Sequence, residues 1–85
     1  MKVNIYSIQS TLFEGDAEKL ICVTQGGQIT VLDNHLPIIT TLIGPSVRIA
    51  GKDGEKEISL AGGVLEVRPG SEAVILASSE RLGMS

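Results

Sequence analysis

Along most of this chain the apolar residues return at every second position, and no other feature restricts the fold as strongly. Val3 and Ile5 alternate with Asn4 and Tyr6, Val47 and Ile49 with Ser46, Arg48 and Ala50, Ile58 and Leu60 with Glu57, Ser59 and Ala61, and Leu65 and Val67 with Glu66 and Arg68. Successive side chains of an extended strand point to opposite faces, so the pattern buries one face and wets the other; an amphipathic helix needs a period near 3.6. Leu20-Ile21-Cys22-Val23 and Ala73-Val74-Ile75-Leu76-Ala77 are instead continuously apolar. They are short for helices, and their β-branched content predicts strands buried on both faces.

The breaks between these runs are as regular as the runs. Lys52-Asp53-Gly54 and Pro69-Gly70 each separate two alternating or apolar segments and predict hairpins, with Pro presetting the first turn dihedral and Gly accepting positive φ. Gln25-Gly26-Gly27, Asp33-Asn34 and Gly44-Pro45 punctuate the middle. Strands are expected near 2–8, 11–14, 17–23, 27–32, 36–42, 46–50, 56–60, 63–68 and 72–78, in all eight to ten, and the sole helical candidate is the tail from Ser78 to Met84. Tyr6 and Phe13 are the only aromatic residues, so the core is aliphatic. Sheets with one apolar face must cover each other, which predicts an all-β fold, an antiparallel sandwich or flattened barrel. At 85 residues the chain makes one domain, here 1–80, followed by a short tail over 81–85.

The charge balance narrows the function classes. The formal net charge is −3 and the seven Lys and Arg are scattered, so no basic face is expected for nucleic acid. No apolar run approaches the ~18 residues that span a bilayer. The start, Met1-Lys2-Val3-Asn4-Ile5-Tyr6, lacks the features of a signal peptide. One cysteine rules out an internal disulfide, and no Cys/His cluster has zinc spacing.

Few residues invite chemistry. His35, the single histidine, follows Asp33-Asn34 and is expected on a turn. Cys22 sits in an apolar run, where a thiol packs as a small hydrophobe and makes a poor nucleophile. Glu14, Asp16 and Glu18 flank Gly15 and read as a solvated turn, because a calcium loop needs more oxygen ligands at set spacing. Gln25-Gly26-Gly27 is too short to cradle a phosphate, and Gly62-Gly63 is expected where the chain passes close to a neighbouring strand. No catalytic, metal-binding or cofactor-binding residue stands out. On the residues alone the chain reads as a small acidic β-sandwich that works through its surface, an adaptor that binds another protein, with a small enzyme or ligand-binding protein using His35 or the acidic turn as the rival reading.

As an ordered set, the landmarks resemble the N-terminal domain of the epsilon subunit of F-type ATP synthases. Phe13-Glu14-Gly15 resembles the family's Phe-x-Gly turn, and the strand Ala17 to Val23 follows it. Gly27 to Thr40, containing Asn34-His35-Leu36-Pro37, resembles the strand that starts at a glycine and runs into a His-x-Pro segment. Gly44 to Ile49 matches loosely a Gly-x-x-Arg-Ile strand, and Ala61-Gly62-Gly63-Val64-Leu65-Glu66-Val67 resembles Ser-Gly-Gly-hydrophobic-x-Glu-Val. The resemblance covers residues 2 to about 80.

It implies a flattened ten-stranded antiparallel β-sandwich and a non-catalytic rotor subunit of the central stalk, without cofactor. The implied partners are the gamma subunit and the ring of c subunits, and the implied place is peripheral, on the cytoplasmic face of the cell membrane. It assigns the ring contact to Gln28, Asp33, Asn34 and His35. Gln28 stands where the family often has an acidic residue and Asp33 where it usually has proline, so Asp33 is expected to supply the charge that Gln28 lacks. The family typically continues into a two-helix hairpin. The chain given ends at Arg81-Leu82-Gly83-Met84-Ser85, so a helical brake and an ATP site are not expected in it.

Overall fold

The computed structural model describes residues 1–78 and contains nine strands there. They are β1 (Lys2–Tyr6), β2 (Thr11–Asp16), β3 (Lys19–Thr24), β4 (Gly27–Leu32), β5 (Ile38–Leu42), β6 (Ser46–Gly51), β7 (Gly54–Ser59), β8 (Gly63–Arg68) and β9 (Glu72–Ala77). The all-β sandwich expected from the alternation is present. The residues beyond Ser78, including most of the expected tail helix, lie outside the described part.

The hydrogen-bonded order is β2-β1-β9-β8-β5-β3-β6-β7, with β4 on the other edge of β3. Two layers result: β2-β1-β9-β8-β5 faces β4-β3-β6-β7. They join at one corner, where Thr24 pairs with Leu42 and the amide of Ile43 donates to the Val23 carbonyl. The chain crosses between layers at Gly44-Pro45, a cis peptide bond. Gly44 has φ +74, and a Cβ there would stand 2.7 Å from the Leu60 carbonyl oxygen, so glycine alone fits this crossing.

The two hairpins read from the sequence form as expected. Gly51 pairs with Gly54 around Lys52-Asp53, and Arg68 pairs with Glu72 around Pro69-Gly70-Ser71. Val3, Ile5, Leu20, Cys22, Val31, Val47, Leu65, Ala73 and Ile75 supply the inward faces and are essentially inaccessible. At about 25 cal/mol per Å² of apolar surface removed from water, an aliphatic core of this kind supplies the main stabilising term without a tryptophan.

Three details correct the expectation. The described residues hold nine strands, within the eight to ten read from the sequence and one short of the ten that the resemblance implies, and the first strand stops at Tyr6 because Ser7 to Ser10 is a tight bend: the Ser7 hydroxyl oxygen accepts from the amides of Gln9 and Ser10. The sheet is not wholly antiparallel. β1 and β9 run parallel, and a parallel pair needs no turn between its members because the whole domain connects them. Gly15 and Asp16 extend β2, so only part of the acidic segment is a turn.

Candidate functional site

Of the four residues singled out by resemblance, three form one loop. β4 ends at Leu32, and the amide of His35 donates to the Leu32 carbonyl at 3.1 Å, closing a turn around Asp33 and Asn34. Asn34 occupies the left-handed region with φ +65. Its amide donates to the Ser71 hydroxyl oxygen at 3.1 Å, and that hydroxyl donates to Asn34 Oδ1 at 3.4 Å. The Asp33 carboxylate lies 2.8 Å from the α-ammonium of Met1, which also donates to the Ala17 carbonyl at 2.8 Å. The negative charge expected to face a partner therefore already has a cation beside it.

His35 Nδ1 lies 2.7 Å from the Leu36 carbonyl. A carbonyl only accepts, so Nδ1 is the donor in this contact. Leu36 and Leu32 flank the loop and are exposed, which adds apolar surface to an otherwise polar end.

Gln28 does not join this cluster. It is exposed near the start of β4, opposite Val23 and beside the Gln25-Gly26 turn, whereas Asp33 follows the other end of the strand. Five steps of extended chain separate the two by about 16 Å. Thr24 braces the Gln28 end: its hydroxyl donates to the Gly27 carbonyl at 2.9 Å and its oxygen accepts from the Gly26 amide at 3.1 Å. The side of the domain that carries β4 thus offers polar groups at two points along its edge.

A second surface was not legible as such in the sequence. The outer face of β1-β9-β8-β5 carries Tyr6, Leu76, Val64 and Thr41 in one cross-strand row and Asn4, Val74, Glu66 and Ile39 in the next. Leu76 is 57% exposed, Val64 41% and Ile39 73%, so the continuous apolar run of β9 is not covered on both faces. Asn4 is buried in this face, and its Oδ1 has no hydrogen-bond partner among the described residues. The available signal was the unbroken Ala73–Ala77 run, whose outward residues are Val74, which is buried, and Leu76, which the described residues leave uncovered.

The groups considered for chemistry do not converge. Cys22 is buried in β3, and desolvation pushes its thiol up to about 12, so it stays protonated and inert at neutral pH. Among the described residues no three His, Cys, Asp or Glu are grouped to hold a metal ion, and no helix is long and apolar enough to cross a membrane.

The family described as the ATP synthase delta/epsilon chain β-sandwich domain matches residues 1–81. Proteins named ATP synthase epsilon chain from Bordetella parapertussis and Bordetella bronchiseptica are each 33% identical over 82 residues, which is 95% of this chain and 59% of theirs. The chain thus spans about six-tenths of the length of these relatives. Among solved structures, a chain of the Tetrahymena thermophila mitochondrial ATP synthase central stalk and c-ring superposes with a TM-score of 0.79 at 13% identity, covering 93% of this chain and 63% of that one. One from the Euglena gracilis mitochondrial ATP synthase OSCP/F1/c-ring assembly gives 0.80 at 15% identity, with 88% and 48% covered. At those identities the likeness is one of fold.

Proposed function

This chain belongs to the ATP synthase delta/epsilon family, and on that premise we propose that it is the epsilon subunit of a rotary ATP synthase, a central-stalk component that joins the gamma subunit to the c-ring. It couples rotation of the ring to the catalytic head and makes or breaks no bond itself. The observation that carries the reading is one rigid sandwich with two different surfaces, an apolar sheet face and a tethered polar edge.

The apolar outer face around Leu76, Val64 and Ile39 takes the gamma subunit. Covering exposed apolar area yields a lasting attachment, as suits two parts that must turn together. The edge bearing Gln28, Asp33, Asn34 and His35 takes the polar loops of the ring. Hydrogen bonds there set register, since their strength falls steeply with distance and angle. Backbone pairing links the surfaces: β5, which carries Ile39, is bonded to β3 through Leu42 and Thr24, and β3 is bonded along its length to β4, which leads into the polar loop. A load applied at one surface is therefore carried by backbone hydrogen bonds and not by a flexible linker. The subunit sits peripherally, on the cytoplasmic face of the membrane, held there through the ring.

The test is reconstitution. The purified chain is mixed with a purified gamma subunit and with c-rings in nanodiscs, and co-migration is measured by gel filtration. A 1:1 complex with gamma is expected, together with ring binding that weakens for His35→Ala and Gln28→Ala. A folded chain that binds neither partner refutes the reading.

A further inference from the structure

We infer that Ser71, 37 residues away in sequence, is the positioning residue that holds the Asp33–His35 loop in its docking conformation. This rests on the proposed docking of that loop to the ring.

Asn34 and Ser71, with φ +65 and +58, are the only non-glycine residues with positive φ among the described residues. Side chains disfavour that region, and a residue stays there when its surroundings over-determine it. Here the two strained residues determine each other. The Ser71 hydroxyl accepts from the Asn34 amide and donates to the Asn34 carboxamide oxygen, so one side-chain oxygen fixes both the backbone and the side chain of Asn34.

The anchor is better held than the loop it steadies. β4, which delivers the loop, is an edge strand paired only with β3. Ser71 stands at the head of β9, an interior strand bonded on both sides, and its carbonyl accepts from the Lys2 amide at 2.9 Å. The tether therefore fastens an edge loop to the middle of the opposite layer. Ser71 touches no partner in this reading; it acts through Asn34. The sequence offered no hint of it, since a serine after Pro69-Gly70 is an ordinary turn residue.

Two variants separate positioning from stability. Ser71→Gly removes the hydroxyl and relieves the positive φ, whereas Ser71→Ala removes the hydroxyl and keeps the strain. A merely structural role predicts that Ser71→Gly is harmless and that any docking loss follows the melting temperature. Positioning predicts that both variants lose affinity for nanodisc c-rings by about fivefold, the equivalent of one net hydrogen bond, whichever way stability moves. Gamma binding is unchanged in both, and hydrogen exchange at the Asn34 amide, followed by NMR, speeds up by about fivefold. If Ser71→Gly docks on the ring as the native chain does, the positioning role is overturned while the docking reading stands. If the native chain itself does not bind the ring, the docking reading falls, and the positioning role with it.

Discussion

Leu76→Thr tests the assignment of the apolar face. Leu76 is 57% exposed in the isolated domain, about 100 Å² of mostly apolar surface, whose removal from water is worth ~2.5 kcal/mol. Threonine suits a strand equally well, so the backbone has no reason to move. It removes two of the four side-chain carbons and adds a hydroxyl that must be desolvated in a complex. The expected cost is ~2 kcal/mol in gamma binding, about a thirtyfold rise in Kd. Because the residue faces outward, the domain's own stability should change by less than ~1 kcal/mol. Isothermal titration against a purified gamma subunit gives the first number and thermal denaturation followed by circular dichroism gives the second. A Kd within threefold of the native value, in a variant that melts normally, would refute the reasoning and send gamma to another surface.

Other perturbations probe the scaffold. Gly63→Ala sets a Cβ against the Leu76 carbonyl oxygen at φ +156; with neighbouring backbone as the obstacle, it should cost ~2–4 kcal/mol and lower Tm by about 10–25 °C, read by calorimetry. Cys22 is raised from 9.0 to about 12 by burial, so the unfolded chain releases its proton first as pH rises. The associated stability is complete below pH 9 and declines by ~1.4 kcal/mol per unit between 9 and 12. Denaturant midpoints over that range should fall more steeply for the native chain than for Cys22→Ala; parallel slopes would contradict the burial argument. Lys56 lies 5.8 Å from the centre of the Phe13 ring, and β2 and β7 are the two ends of the strand order. An inward-pointing charge on an edge strand discourages further pairing, so Lys56→Val should self-associate in analytical ultracentrifugation. A variant that stays monomeric at high concentration removes that role from Lys56.

Within this domain, the sequence by itself determined the class of structure and most of its elements. The alternation Val47-Arg48-Ile49 and the turn Lys52-Asp53-Gly54 are local, and backbone geometry permits few responses to them. The ordered segments Phe13-Glu14-Gly15, Asn34-His35-Leu36-Pro37 and Gly62-Gly63-Val64-Leu65-Glu66-Val67 were enough to point to the family. What only the tertiary structure decided depends on residues far apart in the chain. In Ala73–Ala77 no polar residue marks a wet face, so the period cannot say which side is covered; the other layer covers Ala73 and Ile75 and leaves Leu76 open. Likewise, Asp33 meets Met1 and Asn34 meets Ser71 only because the end of β4 arrives at the neighbouring starts of β1 and β9, which lie side by side in the other layer. A strand's period records which of its residues want to be buried, and the path of the whole chain decides what arrives to bury or hold them.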